Sequence, residues 1–159
     1  MTHFATYDSP VGKLLLRSDG QAVTGLWVGR ELPEAPKEDE VLRKALLWLE
    51  GYFRGEAHEV TFPLAPEGTA FQRMIWELLL EIPYGKTRTY AQLAREAAFR
   101  LGKERMSAQA VGQAVGRNPI AIAIPCHRVV GAKGQLTGYA WGVEKKQWLL
   151  EHERREETT

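Results

Sequence analysis

The sequence predicts an α/β amino-terminal domain over residues 1–66, a small antiparallel sheet plus a helix, followed by a mostly α carboxy-terminal domain over residues 67–159 with a helix-turn-helix. Short β-type runs separated by turn signals fill the first quarter of the chain, and apolar residues recur at helical spacing after residue 67. Pro66-Glu67-Gly68 punctuates the change and marks the domain boundary. A length of 159 residues suits one domain of ordinary size or two small ones.

Thr2–Asp8, Lys13–Ser18 and Ala22–Val28 are predicted strands, with turns at Asp8-Ser9-Pro10 and Asp19-Gly20. Leu14, Leu16, Val23, Leu26 and Val28 supply the apolar face of one sheet. Glu31–Glu40, rich in acids and proline, reads as a solvated connection. Val41 to Phe53 is a predicted helix, because Val41, Leu42, Ala45, Leu46, Leu49, Tyr52 and Phe53 recur at three- and four-residue steps. Gly55 stops it, and Val60–Leu64 is another short extended piece.

In the second half Thr69 can cap a helix from Ala70 to Ile82, burying Phe71, Ile75, Leu78, Leu79 and Ile82, and Pro83-Tyr84-Gly85-Lys86 ends it. Thr89 can cap a helix over Tyr90–Ala98, and Ser107 one that runs to about Val115. Ala108, Ala110, Gly112 and Ala114 of that helix are small, so one face can approach another surface closely. The pair suggests a helix-turn-helix, although its loop exceeds the minimal motif and an ordinary helix pair in a core has the same pattern. A glycine-punctuated loop from Gly131 to Gly142 leads to a last helix, Glu144–Glu153, with Trp148, Leu149 and His152 inward and a frayed tail from Glu153 to Thr159.

Composition narrows the function classes. No apolar run approaches a membrane span and no signal peptide is indicated. One cysteine, Cys126, precludes an internal disulfide and a cysteine-clustered zinc site, which suits a reducing cytoplasm; no metal and no cofactor are expected. Net charge is +1, yet residues 1–66 carry seven Lys/Arg against ten Asp/Glu and residues 67–159 carry fourteen against ten. The second half is therefore the better candidate for a polyanion.

Cys126 sits in Pro125-Cys126-His127-Arg128-Val129-Val130, after the apolar run Ile120–Ile124, which reads as a buried extended segment. Proline fixes the approach, and a base and a cation follow the thiol at once, as a nucleophilic cysteine requires. A small buried hydrophobe is the alternative reading of the same residues.

Together with Phe71-Gln72-Arg73, Trp76, Ile82-Pro83-Tyr84-Gly85, Thr89-Tyr90, Ala110-Val111-Gly112, Gly116-Arg117-Asn118-Pro119, Gly138-Tyr139 and Lys146–Glu153, this motif resembles the O6-alkylguanine-DNA alkyltransferases in order and spacing, over about 90 residues from Phe71 to Glu153. The first 66 residues resemble the family only in layout. The resemblance implies a ribonuclease-H-like amino-terminal domain and a winged-helix-like second one. It implies direct-reversal repair of double-stranded DNA by a monomer, in which O6-alkylguanine is flipped out and its alkyl group moves irreversibly to Cys126 in a single turnover.

By the same resemblance His127 is the base acting through a water, Glu153 orients it, Tyr90 assists rotation of the base and protonates the departing guanine at N3, and Asn118 braces the turn. Cys126 and Val129 would read the guanine edge through backbone groups, with Tyr139 and Ala140 near O6 and Trp141 beside the pocket. Ser107, Ala108, Gln109, Ala110 and Gly112 would enter the minor groove, and Arg117 and Arg128 would contact DNA.

Two positions depart from the family pattern: Gln109 stands where an arginine usually fills the gap left by the extruded base, and Trp141 where glycine is common. Phe99–Met106 resembles a short insertion. The competing readings are a lesion-binding alkyltransferase-like protein that recruits other repair factors, a transcription regulator, and a cysteine hydrolase.

Overall fold

Apolar residues of the first strands, buried in consecutive runs such as Leu14–Leu16, build the core of the amino-terminal half. In this computed structural model, which describes residues 2–136 and 138–157, β1 (His3–Ser9), β2 (Gly12–Ser18) and β3 (Val23–Val28) form an antiparallel sheet in the order β1-β2-β3. Leu14 pairs with Val28 and Leu16 with Leu26, so the even positions of β2 share one face, and all four side chains are buried. Helix α1 (Glu40–Phe53) packs on the sheet through Leu42, Ala45, Trp48, Leu49 and Tyr52. It starts where it does because the Asp39 side chain accepts from the Leu42 N–H at 2.7 Å.

The run Val60–Leu64 joins this unit as a single bridge rather than a strand. The Val23 N–H donates to the Pro63 carbonyl at 2.9 Å, and Ala65 N–H donates to that of Val23 at 2.8 Å. Farther along β3, Leu26 N–H donates to Pro119 O and Ala121 N–H to Leu26 O, each at 2.9 Å. The open edge of β3 is thereby occupied, and Pro119–Ala123 groups with the chain up to Glu67 as one compact unit.

Gly68–Asn118 and the chain from Ile124 onward form the second unit. Its helices are α2 (Ala70–Leu80), α3 (Tyr90–Leu101), α4 (Ala108–Gly116) and α5 (Val143–Glu157). Thr69 with Gln72, and Thr89 with Gln92, form complete capping boxes at the starts of α2 and α3. Ser107 caps α4 by accepting from the Ala110 N–H at 3.1 Å. Helix α4 packs on α2 and α3 with Val111, Ala114 and Val115 buried, and the buried Trp76 indole of α2 donates to the Ala114 carbonyl at 2.9 Å. The two-residue strands β4 (Arg88–Thr89) and β5 (Val129–Val130) pair in parallel.

Further segments differ from the sequence reading, and α2 ends at Leu80 rather than Ile82. Helix α3 continues to Leu101, and Gly102 ends it at φ +67°. Helix α5 runs through Glu157 instead of fraying from Glu153, because the Glu153 side chain is anchored in a buried hydrogen-bond cluster; residues 158–159 of the expected tail lie outside the described residues. Ile120–Ile124 is buried as expected but not extended. Ile122 takes φ +69°, a region that β-branched residues avoid, where Ala123 N–H turns back to Ala121 O at 2.7 Å. Among the described residues no helix is long and apolar enough to cross a membrane.

Candidate active site

The short strand pair places Tyr90 and Cys126 on the same site. Thr89, paired with Val130, caps α3, whose first residue is Tyr90; Cys126–Arg128, a turn of 3₁₀ helix, leads straight into β5. A tight turn at Pro125 (φ −80°, ψ 65°), closed by Cys126 N–H to Ile124 O at 2.8 Å, delivers the cysteine. The Asn118 amide holds that turn by donating to the Ile124 carbonyl at 2.8 Å.

A cavity of about 360 Å³ opens over the thiol, lined by Tyr90, Gly112, Val115, Gly116, Cys126, Gly138, Tyr139, Ala140 and Trp141. Gly112 of α4 lies beside Tyr90: a Cβ there would stand 3.7 Å from the ring, in ordinary van der Waals contact. The Tyr139 and Trp141 rings meet edge to face, with centroids 5.3 Å apart. The indole therefore forms part of the cavity wall.

Burial pushes the Cys126 thiol up to about 11; the Asn118 side chain and the Lys146 ammonium, followed by the N–H groups of Cys126 and His127, act against it. A sulfur so desolvated needs a base to take its proton as it reacts. His127, fully buried, brings Nε2 to 2.6 Å from Oε2 of Glu153. Burial lowers the imidazole below its usual value despite the carboxylate beside it, with Arg128 and Lys146 lowering it further.

Burial alone would raise Glu153, but His127 and then Arg128 overcome this and hold its carboxyl well below the usual carboxylate range. Its other donors are Gly85 N–H at 3.2 Å, and Arg128 Nε and Nη2 at 2.8 and 3.1 Å. An ionised carboxylate only accepts, so Nε2 of His127 carries the proton. Nδ1 is then the basic nitrogen, and it has no hydrogen-bond partner among the described residues.

Cys126, His127, Glu153, Tyr90 and Asn118 thus gather around one site, with Tyr139, Ala140 and Trp141 in the cavity wall. Val129 does not line the cavity: its side chain is buried and its N–H is committed to the Cys126 carbonyl. On α4, Ala108 and Gln109 are exposed, Ala110 and Gly112 half-buried, and Arg117 is exposed just past the helix end.

The expectation that Arg128 contacts DNA is corrected. The residue is 6% exposed and commits its guanidinium to Glu153 and to the Ile82 carbonyl at 2.7 Å. Sequence reasoning passed over Lys146, whose buried ammonium lies 5.9 Å from the Tyr90 ring centroid and hydrogen-bonds to Gly138 O at 3.5 Å. Its position three residues before Leu149 and seven before Glu153 puts it on their face of α5, a signal available in the spacing alone.

The chain is similar to known proteins along nearly its whole length. Residues 2–66 match the family model described as 6-O-methylguanine DNA methyltransferase, ribonuclease-like domain, and residues 70–155 match the DNA binding domain of the same family. A methylated-DNA–protein-cysteine methyltransferase of Methanosarcina acetivorans is 45% identical over 157 residues, covering 95% of this chain and 97% of that protein. One from Haemophilus influenzae is 44% identical over 96% of this chain and 86% of that protein.

The crystal structure of the O6-methylguanine methyltransferase of Mycobacterium tuberculosis superposes with a TM-score of 0.84 at 42% identity, covering 98% of this chain and 94% of that one. The Mycobacterium tuberculosis protein in complex with DNA gives the same score at 41% identity, covering 97% and 94%. Matches that span both halves, at this identity, establish that the chain belongs to the 6-O-methylguanine DNA methyltransferase family.

Proposed function

We propose that this protein repairs double-stranded DNA by taking the alkyl group of O6-alkylguanine onto Cys126, one lesion per protein molecule. The observation that carries this is the sole cysteine, buried at the wall of a base-sized cavity beside the His127–Glu153 pair. The sulfur attacks the alkyl carbon as the carbon–O6 bond breaks, and the bonding electrons return to the guanine. The thiol proton passes through a water to Nδ1 of His127, and Tyr90 supplies a proton to the guanine at N3. The product is a thioether, which water does not cleave, so the thiol is not regenerated.

Presenting the base requires rotation out of the duplex, which costs a few kcal/mol and less for a weakly paired damaged base. Helix α4 would enter the minor groove, its exposed Ala108 and Gln109 and half-buried Gly112 permitting close approach, while Arg117 reaches a phosphate. The protein would act as a monomer in the cytoplasm, without metal or cofactor.

Incubation with a duplex holding O6-methylguanine, followed by peptide mass analysis, tests the reading. One added methyl group on the Cys126 peptide, in an amount that stops at one per protein, is the expected result. Lesion binding with an unmodified Cys126 would support an alkyltransferase-like recognition protein instead.

A further inference from the structure

We propose that Arg128 is a positioning residue for the acceptor site: its guanidinium clamps both carboxylate oxygens of Glu153 and thereby fixes the tautomer and the basicity of His127. The inference rests on the reading of His127 as the base. The clamp is bidentate, with Nε 2.8 Å from Oε1 and Nη2 3.1 Å from Oε2, while Nη1 donates to the Ile82 carbonyl at 2.7 Å and the Tyr84 ring lies 5.6 Å below the guanidinium carbon. Arg128 is therefore held from three sides and cannot follow Glu153 if the carboxylate swings.

Both oxygens of Glu153 are engaged, Oε1 by Gly85 N–H and Arg128 Nε and Oε2 by His127 Nε2 and Arg128 Nη2. Only the Nε2–H form of His127 fits that arrangement, which leaves Nδ1, without a hydrogen-bond partner among the described residues, as the basic nitrogen. A lone buried carboxylate against an imidazole would make it strongly basic, so that it would be protonated, and useless as a base, near neutral pH. With Arg128 on the same carboxylate the pair is balanced, and burial keeps the imidazole neutral. The charged or titratable groups facing His127 are Glu153 and Lys146 from α5, and Arg128 and Cys126 from its own segment.

The test is the pH profile of methyl transfer from lesion-bearing duplex in the wild type, Arg128→Gln, Arg128→Lys and His127→Gln. In Arg128→Gln the acid limb should move up by about one pH unit, because an opposite charge then acts on His127 uncompensated. Arg128→Lys, which keeps the charge and loses the fork, should return the limb most of the way. A uniform loss of rate at every pH, with the limb unmoved, would overturn the proposal and leave Arg128 a structural residue.

If His127→Gln retained the wild-type limb, the assignment of the base would fail instead, and the two failures are distinct. Should Arg128→Gln not fold, NMR titrations of His127 in the wild type and in Arg128→Lys take its place: the imidazole should titrate higher in Arg128→Lys, and identical titrations would overturn the clamp. In the wild type His127 must stay neutral to below pH 6.5, the value an isolated imidazole shows, and titration above it would refute the balance.

Discussion

Nε2 of His127 lies 2.6 Å from Oε2 of Glu153, and both residues are at most 1% exposed. The pair couples folding to pH. His127 is held below its ordinary 6.5, burial being the largest cause, so between that value and its folded one the unfolded chain binds a proton that the native protein refuses. Glu153 is held below its ordinary 4.5 by His127 and Arg128, and the same inequality applies at lower pH. Wherever the unfolded state binds more protons, stability rises with pH.

Both groups therefore contribute fully above their unfolded values and lose that contribution as the pH falls. The urea midpoint should drop as pH goes from 7.5 to 5.5, with a first slope of up to about 1.4 kcal/mol per pH unit from the imidazole. A second slope from Glu153 should appear below pH 4.5. A midpoint that stays level from pH 7.5 to 5.5 in the wild type would exclude the first contribution.

Asn118 tests how much the site depends on its turn. Its amide reaches the Ile124 carbonyl at 2.8 Å from a site only 4% exposed, and its side chain also favours the thiolate of Cys126. Asn118→Ala leaves the buried Ile124 carbonyl with the Cys126 N–H alone, and the lost hydrogen bond costs about 0.5–1.5 kcal/mol. It also removes the group holding Pro125 and Cys126 against the turn. Methyl transfer should slow by more than the factor seen in stability-matched controls at other buried positions, and equal slowing would assign Asn118 to folding alone.

The difference between what was legible and what was not follows the range of the forces involved. The caps at Thr69 and Thr89 act within three residues and sequence spacing records them, whereas the Asp39 cap of α1 and the reciprocal bonds of Gln72 and Gln92 went unread. Ile120–Ile124 was misread because burial and β-branching describe a composition, whereas the turn at Ile122 is imposed by the hydrogen bonds on either side of it. Arg128 was misplaced for a similar reason: a cation next to a reactive motif suggests DNA until its partner, 25 residues later in Glu153, is brought against it. Cys126 and His127 stand out in the local motif itself, whereas bringing Tyr90 and Glu153 to them took the family resemblance, because the contacts are long-range and spacing does not record them.

Gln109 stands in the first turn of α4, exposed and without charge. Arg at this position would add a cation to the face proposed to enter the minor groove, where each phosphate neutralised contributes about 0.9 to the slope of log affinity against log salt. Gln109→Arg should tighten binding to lesion-free duplex several-fold at low salt and steepen the salt slope by about one. Fluorescence anisotropy across a salt series measures both. An unchanged slope would place residue 109 away from the phosphates, whatever happened to repair.

Trp141 presents a choice between a plug and a wall. The cavity keeps about 360 Å³ with the indole in place, within the range that accommodates small organic ligands. The ring is braced edge to face against Tyr139, a contact worth about 0.5–1.5 kcal/mol beyond the area it buries. Glycine at 141 would remove that brace and join Gly138 and Gly142, both already at positive φ, in one loop. The segment would gain backbone freedom where Tyr139 must be held.

Trp141→Gly should therefore slow the reaction with a free guanine base carrying a benzyl group at O6, through weaker binding more than through slower transfer. Methylated duplex, anchored by α4, should be affected less. Saturation kinetics of Cys126 modification with the two substrates separates the effects, and a faster reaction of the glycine variant with the free base would show that the indole obstructs the cavity.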